Sequence, residues 1–401
     1  MSTSQNTKIG LVTATIIGMN AMIGSGIFTA PAAIASYVGP AGIIAYIFVV
    51  FSVWCMALSL ARLAELFPQD GSFYTYTRQW GGHGFGLLAS GLYIFGLTVA
   101  MGLLCQVSGM YLASLFPSVS PTILGLLVLG SLVILNLFGV ALSELGQQIL
   151  IVTTVFPLLA IIGICLTRAQ WGNLFPFAPF GFGNVLKATK IVIFGFFGYE
   201  CAASLFNVVE NPGKNVPKAL TYSIAIVGIL YTAFITSIIL ATPLNLFQNP
   251  CVPLSDILGV VFPQYEWLLI IIHLAILSAI VGTIHSMIWS SSALLVSLAR
   301  TTSPLLARTL SPNDPAAHRA AVLVISACIT TTFALISNLN LFFSLTALCI
   351  IAAQILSLIT LLTRSAEWKS GQNIITVVGI CTALTIFYFA AEGITDVVCT
   401  A

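Results

Sequence analysis

The sequence predicts an all-α, polytopic membrane protein with about eleven transmembrane helices, and two observations carry this prediction. The first is composition. Of 401 residues, 59% are hydrophobic and only 6% are charged, whereas soluble domains carry about 25% charged residues. So few charges could not solvate the surface of a water-soluble globule. The second is the recurrence of apolar runs of about 20 residues, the length that crosses a bilayer core roughly 30 Å thick.

Proline, glycine and charge clusters separate these runs. The predicted spans cover residues 9–35, 41–66, 84–115, 122–141, 147–168, 187–209, 219–241, 266–299, 320–337, 341–363 and 372–395. Several runs are longer than the hydrocarbon core requires, so they are expected to tilt, bend or break. The segment 70–84 is too polar to cross the bilayer, and the spacing of Phe73, Tyr76 and Trp80 predicts a short interfacial helix near 72–81.

Lys and Arg are distributed unevenly between the two sides of this topology. With a cytoplasmic N-terminus, Arg168, Lys187 and Lys190 fall on the outer side and the other ten of the 13 fall inside. This bias predicts a protein of the cytoplasmic (inner) membrane with its N-terminus in the cytoplasm. An odd number of spans then places the C-terminus outside.

Two of the predicted spans are interrupted by glycine. Span one contains the stretch "NAMIGSGIFTAP", in which Gly24 and Gly26 flank a serine, and span six contains Gly195 and Gly198 followed by an acid. Each interior glycine costs a helix roughly 1 kcal/mol relative to alanine. These spans open two blocks of five, 1–168 and 187–363, which have opposite orientations because five is odd. Matched interruptions in two inverted repeats point to a transporter's binding site; the alternative is that the glycines permit close helix packing.

A helix that breaks inside the bilayer offers unpaired backbone groups to a ligand. In span one, the N–H groups of residues 24–27 and the Ser25 hydroxyl could hold a carboxylate at the positive end of a half-helix. In span six, the carbonyls of residues 194–197, with that of Ile23, suit an ammonium group. Together these groups predict a site for a zwitterion, an α-amino acid. Span 372–395 is an additional C-terminal helix.

Three motifs resemble a known family. "IGSGIF" in span one, "FFGYE" in span six and the loop "ENPGKNVPKAL" are similar to the amino acid–polyamine–organocation superfamily, most of all to bacterial exchangers such as the arginine/agmatine antiporter. The resemblance covers spans one to ten. It implies a LeuT-like core of five plus five inverted helices with discontinuous helices one and six, and transport of amino acids or related amines by alternating access. It implies no cofactor.

The resemblance also assigns residues. The carboxylate-binding break corresponds to Ile23, Gly24, Ser25, Gly26 and Ile27, and the span-six break to Phe197, Gly198 and Glu200.

The resemblance gives further roles in gating. Glu200 stands for an acid of gating and proton-dependent release. Phe194 takes the place of a gating tryptophan that stacks over substrate, and Tyr93 matches a tyrosine of the outer gate. His285 falls where the exchangers have an aromatic wall residue of the site.

The departures from the exchangers bear on the substrate. Ala21 and Met101 replace an asparagine and a polar amide, so the contacts to a guanidinium group are lost and arginine is not the expected substrate. Relatives that take up protons through a span-five lysine would carry it near Thr153 or Thr154, where this chain has none. The usual twelfth span is missing as well, which leaves a homodimer open.

Alternatives stand beside each of these roles. An ionised carboxylate is costly in the bilayer, so Glu200 is expected to exchange a proton; otherwise it fixes the break by hydrogen bonds to backbone. His285 either lines the site or is a hydrogen-bonded structural residue. The hydroxyls of 290–292 could hold Na⁺, although serines in membrane helices more often bond to their own turn.

A secondary transporter that exchanges amino acids is therefore the predicted function, with a proton- or sodium-coupled symporter as the alternative. An intramembrane enzyme is a remote alternative, because the sequence has no HExxH or GxSxG motif and no pair of membrane aspartates. The lipid bilayer and a small amino acid or amine are the expected partners. No catalytic residue, metal ligand or nucleic-acid partner is predicted.

Overall fold

The computed structural model describes residues 10–24, 26–68, 72–138, 144–200, 209–247, 254–302, 315–363 and 372–400. Almost all of this chain is helical. The helices are α1 (Leu11–Met22), α2 (Gly26–Val38), α3 (Gly42–Leu66), α4 (Ser72–Leu115), α5 (Pro121–Leu137), α6 (Glu144–Thr167), α7 (Gly183–Lys187), α8 (Thr189–Phe194), α9 (Pro212–Ala241), α10 (Leu254–Val261), α11 (Glu266–Thr302), α12 (Pro315–Leu335), α13 (Leu339–Thr363) and α14 (Gln372–Thr400). Short 3₁₀ turns occur at Gly39–Ala41, Trp171–Leu174 and Leu244–Phe247.

Seven helical stretches within the described residues are long and apolar enough to cross a membrane. They cover Gly26–Leu66, Ser72–Leu115, Pro212–Ala241, Ile270–Thr302, Pro315–Leu335, Leu339–Thr363 and Asn373–Val397. Three shorter apolar helices, Leu11–Met22, Pro121–Leu137 and Val152–Thr167, supplement them. The first and sixth predicted spans fall short as single helices because each is interrupted. The prediction of an all-α, polytopic membrane protein is confirmed.

Helix α4 consists of two segments that meet at Gly82. This residue has φ 71° and ψ −167°, a backbone conformation that residues other than glycine rarely adopt. The segment before it coincides with the predicted interfacial helix and lies against α13. There the Trp80 indole donates to the carbonyl of Leu356 at 2.8 Å, and the Thr360 hydroxyl donates to the carbonyl of Tyr76 at 2.8 Å. This contact marks one end of the molecule, which the charge bias predicts to be cytoplasmic.

The opposite end is covered by the connection between α6 and α7. The Gln170 N–H donates to the Leu240 carbonyl at 2.9 Å, and the Ala41 N–H donates to the Phe177 carbonyl at 2.9 Å. These bonds satisfy backbone groups where the chain leaves its helices. They also join the connection to the ends of α9 and α3.

Helix α14 is packed into the bundle. It contacts α3, α7, α8 and α13. Two pairs of hydroxyls cross the α3–α14 interface: Ser52 donates to Thr382 at 2.8 Å, and Ser59 lies 3.1 Å from Thr376. Hydroxyl pairs of this kind hold membrane helices together where apolar side chains gain little from leaving lipid.

Candidate functional site

The first span is broken at the predicted position. Helix α1 ends at Met22 and α2 begins at Gly26, so the chain leaves helical geometry between them. The carbonyl of Met22 accepts from the Gly24 N–H at 2.8 Å and from the Tyr231 hydroxyl of α9 at 2.9 Å. A side chain of another helix thus compensates part of the lost helical bonding. Ser25 lies outside the described residues.

The sixth span is also broken. Helix α8 ends at Phe194, and residues 195–200 form turns. Gly198 has φ 113°, which lies outside the range that an L side chain favours. Its N–H donates to the Glu200 carboxylate (Oε2) at 3.0 Å. The acid therefore bonds to the backbone of its own break, as the structural alternative for Glu200 required.

The two breaks lie against each other, and glycine makes this possible. A Cβ atom on Gly26 would lie 2.7 Å from the Cα of Gly195, and one on Gly198 would overlap the carbonyl oxygen of Ala21. A Cβ on Gly24 would overlap the hydroxyl of Thr283 in α11. The glycines therefore permit close packing and interrupted helices together; the two interpretations of the sequence are compatible.

Glu200 connects the break to the neighbouring helix α4. Besides the Gly198 N–H, it accepts from the Tyr93 hydroxyl at 3.1 Å through Oε1, and it is buried. The Tyr93 ring in turn stacks on Phe73, with 4.4 Å between centroids, in the interfacial segment. This contact disfavours the outer-gate position that the resemblance implies for Tyr93, which stays a prediction. Tyr93 lies toward the end that is predicted to be cytoplasmic, because Phe73 belongs to that end.

Phe194 lies on the other side of the breaks. Its ring packs edge-to-face against Phe343, at 5.2 Å, and Phe197, at 6.5 Å. Phe343 is near the start of α13, whereas the interfacial helix contacts the far end of α13. The aromatic cluster of Phe194, Phe197 and Phe343 therefore lies toward the end of the molecule opposite Tyr93. Ile27 is fully buried.

A cavity of about 210 Å³ lies at the junction of the two breaks. Its walls come from α1, α4, α6, α11 and the span-six break, and it extends toward the N-terminal half of α1. The lining residues are Ile17, Asn20, Ala21, Ile23, Tyr93, Leu97, Thr154, Gly198, Glu200, Ser278, Ala279, Gly282, Thr283, Ser286, Met287 and Ser290. Of the predicted site residues, the cavity thus brings together Ile23, Tyr93, Gly198 and Glu200.

His285 and the serines 290–292 of α11 were named in the sequence analysis, but the face of this helix that lines the cavity was not identified there. Residues 278, 282, 286 and 290 (Ser, Gly, Ser and Ser) all line the cavity. Their spacing of four places them on one face of a helix. A search for small and hydroxyl residues at this spacing in span eight could have found the wall.

His285 does not line this cavity. It lies on a different face of α11, where its Nδ1 is 2.9 Å from the side-chain nitrogen of Asn136 in α5. Both residues are buried, so the pair supplies hydrogen bonds between two membrane helices. The role of His285 in the substrate site stays a prediction, and its contact with Asn136 favours the structural alternative.

The serine cluster of span eight bonds mainly to its own helix. Ser290 and Ser291 both donate to the carbonyl of Met287, at 3.2 Å and 2.6 Å. Within the described residues no group of His, Cys, Asp or Glu could hold a metal ion. Serines that bond to their own helical turn in this way are common in membrane helices and need no ion to satisfy them.

Comparison with known proteins identifies a family that matches nearly the whole chain and relatives that match part of it. Residues 9–395 match the model of the amino acid permease family. Curated relatives include an uncharacterized transporter of Mycobacterium tuberculosis (25% identity over 300 residues, 73% of this chain and 66% of the relative) and the branched-chain amino acid permease BcaP of Bacillus subtilis (26% over 266 residues, 58% and 55%). The lysine-specific permease LysP of Escherichia coli is 28% identical over 305 residues, 71% of this chain and 62% of the relative. The matches thus span about half to two thirds of the length of these relatives.

Solved structures share the fold. The chain superposes on a substrate-bound, outward-open Na⁺-coupled sialic acid symporter with a TM-score of 0.65 at 14% identity, covering 96% of this chain and 90% of the other. It superposes on MhsT in complex with L-phenylalanine with a TM-score of 0.66 at 13% identity, covering 97% and 98%. The predicted LeuT-like architecture is confirmed.

Proposed function

Because the chain belongs to the amino acid permease family of the amino acid–polyamine–organocation superfamily, we propose that it carries amino acids across the cytoplasmic membrane by alternating access, as an exchanger. The observation that carries the proposal is the cavity between the two interrupted spans, where Ile23, Gly198 and Glu200 come together. Interrupted helices place bare peptide groups beside such a cavity, and these groups suit the charged ends of a zwitterion.

The present conformation fits one half of an alternating-access cycle. The cavity extends along α1 and α11 toward the end that bears the interfacial helix, whereas Phe194, Phe197 and Phe343 close the opposite end. With the predicted orientation, this is an inward-facing state. Release to the outside would require the aromatic cluster to separate.

Glu200 is suited to a gating role. It is held by a hydroxyl from α4 and an N–H from the span-six break, so it ties a neighbouring helix to the interrupted one. Loss of its negative charge would weaken both hydrogen bonds, since bonds to an ionised acceptor are the stronger ones. Protonation of Glu200 would thereby loosen the break from α4.

Exchange is preferred over proton-driven symport because of span five. Thr154 lines the cavity at the place where a proton-carrying lysine of relatives is expected. A threonine hydroxyl does not titrate in the accessible pH range. Glu200 is then the acid that remains at this cavity among the described residues.

The test is counterflow in proteoliposomes. Vesicles loaded with an unlabelled amino acid are expected to accumulate the same labelled amino acid without any ion gradient. Ser25→Trp should abolish this uptake, because it replaces the hydroxyl that the sequence predicts to bind the carboxylate with a bulky indole, next in sequence to Gly24 and Gly26, where even an added Cβ would crowd a neighbour. Wild-type counterflow in Ser25→Trp would remove span one from the site, and the absence of counterflow with every amino acid would refute exchange.

A further inference from the structure

The cavity described above restricts its ligand by size. An engineered protein cavity of about 150 Å³ binds benzene. By the same measure, about 210 Å³ accommodates roughly eight non-hydrogen atoms. L-Valine and L-threonine have this size. L-Lysine, L-arginine, L-phenylalanine and L-tryptophan are larger than this volume and would extend into the open end of the cavity.

The walls restrict the ligand by charge. Among the described residues that line the cavity, Glu200 is the only charged one; the other polar side chains are hydroxyls and the amide of Asn20. A side-chain carboxylate would be desolvated beside Glu200 without a cation to pair with, which is strongly unfavourable. A cationic side chain would be attracted to Glu200, so the length of lysine and arginine, and not their charge, is what opposes them at this cavity.

The remaining walls are apolar. Ile17, Ile23, Leu97 and Met287 present aliphatic groups to the cavity. They match a short aliphatic side chain, whereas the hydroxyls on the facing side of α11 can satisfy one additional polar group. We infer that the site selects neutral amino acids with small to medium side chains, represented by valine and threonine. This inference rests on the proposed function and defines its substrate class.

Binding and counterflow test the inference separately. Thermal unfolding of the purified protein is measured with L-alanine, L-valine, L-threonine, L-lysine, L-glutamate and L-tryptophan at equal concentration, because a ligand of the folded state raises the melting temperature. We expect the first three to raise it and to drive counterflow. Lysine or glutamate as the stronger ligand would overturn the substrate class and leave amino acid exchange intact. Absence of counterflow with all six would refute exchange itself.

A pair of leucine variants tests whether this cavity determines the substrate preference. Leu97→Ala enlarges the cavity, so the rate with L-phenylalanine relative to L-valine should rise about tenfold, the usual scale for a few methylene groups in a hydrophobic pocket. Leu88→Ala is the matched control on the same helix, since Leu88 is 49% exposed and does not line the cavity. Equal preferences in both variants would show that selection occurs elsewhere.

An independent set of contacts lies at the opposite end of the molecule. Lys187, the last residue of α7, forms an ion pair with Glu392 of α14. Lys190 of α8 is only 2% exposed, and its ammonium lies 5.8 Å from the ring centroid of Tyr37 in α2. Asp396 of α14 adds a negative charge close enough to act on Lys190.

Gly393 provides the space for this arrangement. A Cβ atom at Gly393 would overlap the Lys190 ammonium and crowd the hydroxyl of Ser344 in α13. The Ser344 oxygen is buried and has no hydrogen-bond partner among the residues that the structure describes. Helices α2, α13 and α14 thus surround a lysine at the start of the interrupted span six.

We propose that α14 is a clamp on the first half of span six, with Lys187 and Lys190 as positioning residues. The ion pair and the buried ammonium fix α7 and α8 to α14. Movement of this half-helix during transport would have to break them. The additional C-terminal helix then regulates how readily the aromatic end of the site opens.

Hydrogen–deuterium exchange tests the clamp directly. In purified protein, Glu392→Gln should raise the exchange rate of amides in 183–194 about threefold or more, because local opening controls their protection. The swap Lys187→Glu with Glu392→Lys should restore protection and the counterflow rate. Glu65→Gln, which removes the other described ion pair (with Arg62), is the matched control. Unchanged exchange in Glu392→Gln, or no recovery in a folded swap variant, would overturn the proposal.

Discussion

At the residue scale, Glu200 combines two properties that the sequence treated as alternatives. Its hydrogen bond from Gly198 makes it part of the local backbone, and its hydrogen bond from Tyr93 joins it to α4. Both partners donate, so an ionised carboxylate suits the observed geometry and a protonated one suits it less. Structural and gating roles therefore coexist in the same side chain.

Replacing Glu200 by glutamine tests this dual role. Glutamine can still accept from Tyr93 or Gly198 but cannot titrate, so we expect exchange to vary less than about twofold between pH 5 and pH 8 while membrane insertion is retained. Initial counterflow rates across this pH range provide the measurement. Glu65→Gln serves as the control and should keep the wild-type profile. If the rate of Glu200→Gln depended on pH in the same way as the rate of the wild-type protein, the proton role would be dismissed.

At the scale of the helical element, the break in span six depends on one backbone conformation. Gly198 combines φ 113° with contact to the carbonyl of Ala21. Both requirements exclude a side chain, the first by backbone strain and the second by overlap. A side chain at position 198 is therefore poorly tolerated where the two interrupted spans cross.

Gly198→Ala should destabilise the protein. A left-handed conformation costs an L-residue about 1–2 kcal/mol, to which the overlap with Ala21 adds. We expect the melting temperature in detergent to fall by at least a few degrees and counterflow to be lost. Gly163→Ala in α6 is the matched control, because a Cβ there meets nothing within 4 Å. A stability equal to that of Gly163→Ala would contradict the described crossing.

At the scale of the whole molecule, the other helices form a scaffold around the two interrupted spans. α3, α13 and α14 contact the first half of span six, and α1 contacts α6 and α9. The same fold is found in a sodium-coupled symporter, so fold alone does not decide the coupling ion. The coupling ion is determined by the groups that face the cavity.

Sodium should not stimulate this protein. Ser290 and Ser291 donate to the carbonyl of Met287, and Thr283 donates to that of Ala279, which is the usual structural pattern of hydroxyls in membrane helices. We expect uptake rates in NaCl and in choline chloride of equal ionic strength to agree within about twofold. Stimulation well beyond this range would favour the symporter and assign the serines a ligand role.

The sequence by itself determined the spans, the two interruptions and the carboxylate beside the second one. These are local properties: apolar length sets a span, and glycine weakens a helix wherever it stands. Only the tertiary structure decided that Tyr93 faces the interfacial helix, that His285 pairs with Asn136 and that the 278–290 stripe lines the cavity. The reason is physical: a helix that is apolar all round gives no signal of which face turns inward, so rotation is set by packing against neighbours.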